Sequence, residues 1–209
     1  GEISEPDFQA VLTESVDDVV EKQVEWGIDV VNDGEYGHAM ASDVDYGAWW
    51  HYSFARTGGL ETVDNTSFQE ILKTPGNGRY NSFAVRRDWN RFADFYESIN
   101  LGNDPDGEFP IATGPLTYQG QDAVAADINN LRTAVEKNAA SEAFIASLSP
   151  GSASRIGNHH YATDEEFIYA WADVLHEEYK AITDAGFIVQ LDDPSICLLY
   201  TSDAADDSL

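Results

Sequence analysis

The stretch DEEFIYAWADVLHEEYKAITDAGFIVQLDDP at residues 164–194 decides the fold class. Thr163 and Glu166 form a capping box, which predicts that a helix begins there, and Gly186 predicts where that helix ends. A short apolar strand over 187–191 and the acidic cluster Asp192-Asp193-Pro194 follow. The residues predicted on the inward face of the helix are Phe167, Trp171, Leu175, Tyr179 and Ile182.

The same order of elements occurs near the start of the chain. Residues 14–26 carry valines at helical spacing, and Gly27 predicts the end of that helix. The run 28–31 is apolar and mostly β-branched, as in a buried strand, and Asn32-Asp33-Gly34-Glu35 follows it. Two copies of this unit indicate that helices alternate with parallel strands.

Further elements are predicted between the two units. Helices are expected over about 88–99 and 121–137, and strands over 109–112 and 143–148. Thr113-Gly114-Pro115 and Ser149-Pro150-Gly151 follow these strands as polar turns. Residues 36–87 are predicted to form a long aromatic loop excursion. The fold class is therefore α/β with a parallel sheet.

An open doubly wound sheet and a closed barrel are the two architectures that fit this pattern. The glycine-rich phosphate-binding motifs of open sheets are absent from the sequence, whereas polar or acidic residues follow every predicted strand. In a (β/α)8 barrel such strand ends meet at one mouth, where active sites lie. Because a complete barrel needs roughly 250 residues, we predict a partial (β/α)8 TIM-type barrel, truncated at both ends.

The composition is strongly acidic. Asp and Glu number 38 against 11 Lys and Arg, which gives a formal net charge of −27. Such a charge repels phosphates and anionic lipids, so neither nucleic acid nor a membrane is an expected partner. It is typical of salt-adapted proteins, with a plain acidic protein as the alternative. The sequence contains neither a long apolar run nor a basic, apolar leader, so a cytoplasmic location is expected.

The end of the chain differs from the rest. From Cys197 the sequence CLLYTSDAADDSL resembles the translation of a sequencing adapter. We therefore predict that residues 1–196 form one incomplete barrel domain and that residues 197–209 are a non-native tail. Cys197 is the one cysteine of the chain, and we expect no catalytic or zinc-binding role for it.

Four motifs carry a family resemblance. GIDVVNDGE (27–35), IATGPLTYQG (111–120), SPGSASRIGNHHY (149–161) and the stretch 164–194 occur in an order and spacing that resemble the cobalamin-independent methionine synthase family. The resemblance is to its short, single-domain members, and it covers nearly all of residues 14–196. Any one of the motifs alone would carry little weight.

The resemblance implies a methyl transfer that depends on zinc. A zinc ion would bind the thiol of homocysteine, and a reduced folate of the 5-methyltetrahydrofolate type would donate the methyl group, making methionine. Glu35 matches the family glutamate that holds the substrate amino group, and Asp192 matches an aspartate that shares this task. Thr113 matches a strand-end turn that lines the pocket. The family often has Asp-Glu-Pro where this chain has Asp192-Asp193-Pro194.

The chemistry of the residues agrees with an amine-binding role. An ammonium group favours anionic acceptors on rigid strand ends, where charge-assisted hydrogen bonds give both affinity and orientation. Ser149, Asn158 and Tyr161 are further candidates for contact with the substrate. The expected ligands are thus a small-molecule thiol and a reduced folate.

One departure from the family concerns the metal. The zinc ligands of the family, a His-x-Cys pair, a Glu and a distant Cys, match positions beyond Ile196. We therefore expect no metal ligand in this chain, and neither a zinc site nor turnover from the isolated polypeptide.

Each candidate has a structural alternative. Glu35 and Asp192 are two of many acids in the chain, and Asp33 is a candidate for bracing the turn after its strand. His159-His160 and His176-Glu177-Glu178 lack metal-ligand spacing, and the second group is interpreted as an exposed helix face. An aromatic group is suited either to stacking a pterin ring or to packing of a lid; its members are Trp49, Trp50, Tyr52 and Phe54. Three arginines are suited to an anionic ligand or to surface ion pairs; these are Arg86, Arg87 and Arg155.

Three other functions remain open at this point. One is a related alkylation of a zinc-bound thiol, such as the opening of an epoxide by coenzyme M. Another is a barrel hydrolase that uses Glu35 and Asp192 as paired carboxylates. The last is a regulatory or binding homologue without activity.

Overall fold

The computed structural model describes residues 4–38, 48–64, 66, 67, 70, 91–98 and 108–193. The N-terminal helix α1 (Glu5–Glu25) begins at Ser4, whose hydroxyl accepts the N–H of Asp7, and it ends just before Gly27. It is followed by strand β1 (Val30–Asn32) and a short 3-10 helix (Tyr36–His38). The predicted helix and strand of this first unit are both confirmed.

The middle of the chain contains helix α2 (Ala48–Ala55), strand β2 (Thr57–Asp64), helix α3 (Ala93–Ser98) and strand β3 (Glu108–Tyr118). Helix α4 (Gln121–Asn138) and strand β4 (Glu142–Leu148) confirm two further predictions.

The last part begins with the one-turn helix α5 (Pro150–Ala153) and the two-residue strand β5 (Gly157–Asn158). Helix α6 (Asp164–Asp184) and strand β6 (Ile188–Asp192) complete it. The predicted capping box is confirmed, because Thr163 Oγ1 accepts the N–H of Glu166 and the Glu166 carboxylate accepts the N–H of Ala162.

The strands form two sheets of three strands each. The first is parallel, in the order β1-β4-β6; helices α1 and α6 both pack against α4, and all three helices pack against its strands. Its core includes Val31, Ile145, Leu131 and Trp171, all with essentially no exposed surface. The described residues thus form a mixed α/β structure and not a closed barrel. Among them, no helix is long and apolar enough to cross a bilayer.

The second sheet corrects the predicted topology. Strand β3 does not join the parallel sheet but pairs antiparallel with β2 and parallel with the short β5. Thr113-Gly114-Pro115, predicted to be a turn after a strand ending at Ala112, lies inside β3. There the four residues 113–116 face the single residue Gly59 in a wide bulge. Gly59 has a φ of +86°, and a Cβ on it would lie 2.3 Å from the carbonyl oxygen of Pro115.

Candidate functional site

The carboxyl edge of the parallel sheet gathers part of the predicted site. Glu35 lies three residues after β1, Ser149 directly follows β4, and Asp192 is the last residue of β6. Because the three strands are parallel and adjacent, their carboxyl ends share one edge. We call Asp33, Glu35, Ser149, Asp192 and Asp193 the carboxyl-edge site.

The loop after β1 has a constrained backbone. Gly34 and Glu35 are both left-handed, with φ values of +69° and +59°. Glu35 and Ala139 are the two non-glycine residues of the described chain with positive φ. The Glu35 backbone N–H donates to Oδ1 of Asp33 at 2.9 Å, and the side chain of Asp33 is buried. This conformation is unfavourable for a residue with a Cβ, and strained residues of this kind are often found at functional sites.

Burial moves two pKa values near this loop in opposite directions. It raises the pKa of Asp33 to about 6, and the charges of Asp127 and Glu35 add to that rise. Burial also lowers the pKa of His38 to about 4, helped by the charge of Arg56. At neutral pH His38 is therefore neutral and Asp33 is mostly ionised.

The ends of β4 and β6 are bonded to each other. The N–H of Ser149 donates to the carbonyl oxygen of Asp192 at 3.1 Å. The Ser149 hydroxyl accepts the N–H of Ser152 at 3.0 Å and caps α5, while Ser152 Oγ donates to Asp193 at 3.2 Å. Asp192 Oδ1 accepts from the side chain of Gln190 at 3.0 Å. A neutral donor thus bonds Asp192 at the sheet edge.

Three predicted site residues lie in a separate group, in and beside the second sheet. Thr113 is in the bulge of β3, and its neighbour Ala112 pairs with Asn158 of β5. Asn158 is buried, and its side chain bonds the backbone of His160 and Tyr161. The phenol oxygen of Tyr161 accepts the N–H of Leu116 at 2.8 Å. The described contacts of Asn158 and Tyr161 therefore stabilise a loop, and their contact with a substrate stays a prediction.

The comparisons with known proteins concern the fold. No family model matches the chain, and no curated protein matches it. One similar solved structure is a B12-independent methionine synthase from Shewanella sp. W3-18-1 in complex with selenomethionine, with a TM-score of 0.57 and 17% sequence identity. The match covers 92% of this chain and 44% of that one. The two chains share a fold. This chain spans less than half the length of that enzyme.

A buried ionic cluster that was not predicted from the sequence links helices α2, α4 and α6 to both sheets. We call it the Arg56 cluster, and its members are Tyr52, Arg56, Tyr118, Asp127, Ser147 and Glu178. Arg56 donates to Asp127 at 2.6 Å and to Glu178 at 3.3 Å. Glu178 also accepts the hydroxyls of Ser147 at 2.7 Å and Tyr118 at 2.8 Å. One helix, α6, is thereby tied to both sheets through a single carboxylate.

Tyr52 completes the cluster from helix α2. Its hydroxyl accepts a hydrogen bond from Arg56 and lies 3.3 Å from Asp127, and the guanidinium lies 3.4 Å from the centre of its ring. Burial raises the pKa values of Tyr52 and Tyr118, and the nearby charge of Glu178 adds to both shifts. Burial also raises the pKa of Asp127, although Arg56 opposes that shift.

The interpretation of His176-Glu177-Glu178 as an exposed helix face is wrong for Glu178, which is 2% exposed. A signal for this was present in the sequence, because Glu178 lies three residues after Leu175 and four before Ile182, on the apolar face of α6. Glu178 was assigned to the exposed face because it is charged, although its position in the helix is on the apolar face. His176 and Glu177 are exposed, as predicted.

The other candidate side chains are spread over the described chain. Tyr52 and Phe54 pack inward, Phe54 against Trp171. Arg155 is buried. His159 and His160 are exposed. Several predicted features lie outside the described side chains: Trp49, Trp50, Arg86, Arg87, and Cys197 with the rest of the tail.

An open groove of about 540 Å³ runs along the first turns of α6. Tyr161, Glu165, Tyr169 and Asp173 are among its lining residues, whereas Glu35 and Asp192 are not. The groove therefore does not coincide with the carboxyl-edge site. Within the described part of the chain, no three His, Cys, Asp or Glu side chains converge in a way that could hold a metal ion.

Proposed function

We propose that this chain is part of an S-methyltransferase acting on homocysteine, and that its carboxyl-edge site binds the α-ammonium group of the amino-acid substrate. The observation that supports this most strongly is the shared sheet edge. Glu35 follows β1 and Asp192 ends β6, and both strands run in the same direction on either side of β4.

The spacing of the strands suits an ammonium ligand. Neighbouring strands lie about 4.8 Å apart, so β1 and β6 are separated by roughly 10 Å across β4. A group held above Ser149 is within reach of a glutamate on one side and an aspartate on the other. The enzyme with the similar fold was solved with selenomethionine, an amino acid that carries such an ammonium group.

The negative charge of the site favours one of two possible thiol substrates over the other. Homocysteine presents an ammonium group, which two carboxylates attract at short range. Coenzyme M presents a sulfonate instead, which the same carboxylates repel. The pair Glu35 and Asp192 therefore favours methyl transfer to an amino-acid thiol over the opening of an epoxide by coenzyme M.

The architecture that we propose for the parallel sheet is a section of a (β/α)8 barrel. Helices α1, α4 and α6 pack against strands of the sheet, and helices also pack against the strands of a barrel. Strand β6 lies at the edge of the sheet, where its large apolar residues Ile188 and Leu191 are 44% and 51% exposed. An apolar edge strand of this kind is suited to pairing with a further strand.

The sequence resemblance also implies zinc and a reduced folate. The described side chains do not fit a zinc site, because no three of their possible ligands converge. Activation of the thiol is therefore assigned to none of them. The proposal for these residues is confined to gripping and orienting the amino acid, which is the part of the chemistry that their positions support.

A calorimetric titration with L-methionine tests this proposal. We expect the 209-residue chain to bind L-methionine, and the desamino analogue 4-(methylthio)butanoate at least tenfold more weakly. Glu35→Gln and Asp192→Asn each remove one charged acceptor, so each is expected to weaken binding of L-methionine by about 10- to 100-fold. Glu177→Gln, on the exposed face of α6, is the matched control. Equal affinities for the amine and its desamino analogue would exclude an ammonium site.

A further inference from the structure

The sequence has two acids in its first strand-end loop, Asp33 and Glu35, and they occupy different environments. Asp33 is buried at 5% exposure, and Glu35 is half-buried at the sheet edge. Their one described contact runs from the backbone of Glu35 to the side chain of Asp33. The two acids therefore have unequal roles.

We infer that Asp33 is a positioning residue that holds Glu35 in its left-handed conformation and so directs the Glu35 carboxylate to the carboxyl-edge site. This inference rests on the proposed function of Glu35 in binding the substrate ammonium. The bond of 2.9 Å from the Glu35 N–H to Asp33 Oδ1 closes a turn over two residues, the usual way in which an aspartate stabilises a tight loop.

Gly34, between the two acids, restricts the backbone conformation of the loop. Gly34 has a φ of +69°, and a Cβ there would lie 3.1 Å from the ring of Tyr36 and 3.2 Å from Cγ1 of Val19. The loop is therefore packed against α1 on one side. The next carbonyl, that of Glu35, accepts the N–H of His38 and begins the 3-10 helix. Glu35 is thus held at its amide by Asp33 and at its carbonyl by His38.

The charges around Asp33 distinguish it from an ordinary turn residue. Asp127 of α4 and Glu35 of the same loop act on it, and both are acidic. A buried carboxylate among like charges is unfavourable unless its hydrogen bonds are strong. A bond from a backbone N–H to a carboxylate is of the strong, charge-assisted kind. A neutral residue at position 33 without a hydrogen-bond acceptor could not bond the N–H of Glu35.

The test compares Asp33→Ala, which removes the acceptor, with Asp33→Asn, which keeps an oxygen in the same position. In backbone-assigned NMR spectra, the Glu35 Cα and Cβ shifts are expected to report a left-handed residue in the wild type and in Asp33→Asn. In Asp33→Ala we expect them to move towards ordinary values. L-methionine is expected to bind about tenfold more weakly to Asp33→Ala, and Asp33→Asn is expected to restore most of the affinity.

A second measurement needs no substitution, in case Asp33→Ala fails to fold. In the wild-type chain, the amide proton of Glu35 is expected to shift with pH at a midpoint of about 6, because its acceptor titrates there. The amide proton of His38, whose acceptor is a carbonyl, is the internal control for that transition. Asp33→Asn is expected to abolish the shift at Glu35.

The outcomes separate this inference from the proposed function. If no variant, including the wild type, binds L-methionine while the Glu35 signals respond to Asp33 as expected, the proposed function fails and the positioning of Glu35 stands. If the Glu35 signals in Asp33→Ala match those of the wild type, or if its amide does not follow the titration of Asp33, the positioning role is overturned whatever the affinity.

Discussion

The Arg56 cluster and the carboxyl-edge site contain the same kind of side chain in opposite situations. The side chains of Asp127 and Glu178 are 10% and 2% exposed, the guanidinium of Arg56 is bonded to both, and three further hydroxyl groups share their hydrogen bonds. Asp192 lies at a sheet edge, where its described bond comes from the neutral side chain of Gln190. A carboxylate paired with a cation inside the fold stabilises the structure, whereas the carboxylate of Asp192 is bonded by a neutral group and is suited to binding a cationic ligand.

Removal of the Arg56 guanidinium is expected to have the largest effect on stability. Arg56→Met leaves Asp127 and Glu178 buried without a counter-ion, so we expect a loss of about 3–5 kcal/mol in the free energy of unfolding. Denaturant titration followed by circular dichroism measures it. The matched control is Arg132→Met, because Arg132 is exposed and bonds the carbonyl of Ala185; it is expected to cost about 1 kcal/mol or less. Similar losses in the two variants would show that the cluster has no special role.

The stability of the fold is expected to depend on pH through Asp33 and His38, in and beside the loop after β1. The pKa of Asp33 is raised in the fold, so its contribution is present at low pH and is lost as the pH rises from about 4 to 6. The pKa of His38 is lowered, so its contribution is present above pH 6.5 and is lost as the pH falls towards 4. In the wild type, the changes of the free energy of unfolding with pH that come from Asp33 and from His38 have opposite signs.

Substitution of Asp33 or His38 removes one of the two groups, so the pH dependence that comes from the other can be measured. The free energy of unfolding of Asp33→Asn, measured relative to the wild type at each pH, should rise by up to about 3 kcal/mol as the pH increases from 4 to 7. That of His38→Gln should rise by a similar amount as the pH decreases from 7 to 4. Chemical denaturation at a series of pH values measures both differences. Curves that stay parallel to that of the wild type would mean that neither group titrates as its burial implies.

The smallest expected effect concerns the backbone of Glu35. Glu35→Gly relieves the left-handed conformation and should raise stability by about 0.5–1 kcal/mol, while weakening the binding of L-methionine. Ala139→Gly is a close control, because Ala139 has a φ of +53° at the end of α4, away from the sheet edge. We expect both variants to be stabilised in thermal unfolding and only Glu35→Gly to lose affinity. A loss of affinity in Ala139→Gly as well would point to a general effect on the fold.

Local patterns in the sequence predicted the helical and parallel parts of this chain. The capping box at Thr163 and the glycines at 27 and 186 mark helix ends that depend on nearby residues, and the structure confirms them. Because parallel strands run in the same direction, the carboxyl ends of β1, β4 and β6 share an edge, so the grouping of Glu35, Ser149 and Asp192 could be predicted from the sequence alone. The substrate that they contact stays a prediction.

Long-range pairing accounts for what the sequence did not reveal. The segment Thr57–Asp64 has two glycines and no clear alternation, and its partner in β3 begins more than 40 residues later, so neither strand was assigned to the antiparallel sheet. The bond from Leu116 to Tyr161 likewise depends on the bulge in β3. Glu178 was misassigned because the burial of an acid depends on a cation at Arg56, far away in the sequence.

The wide bulge in β3 gives a marker for recognising relatives of this protein. Any side chain at position 59 collides with the backbone of Pro115, so a homologue that keeps the four-residue bulge must also keep a glycine opposite it. Substitution of that glycine should be accompanied by deletion within 113–116. The two changes would then co-vary across an alignment, even where overall identity has fallen too low to reveal common descent.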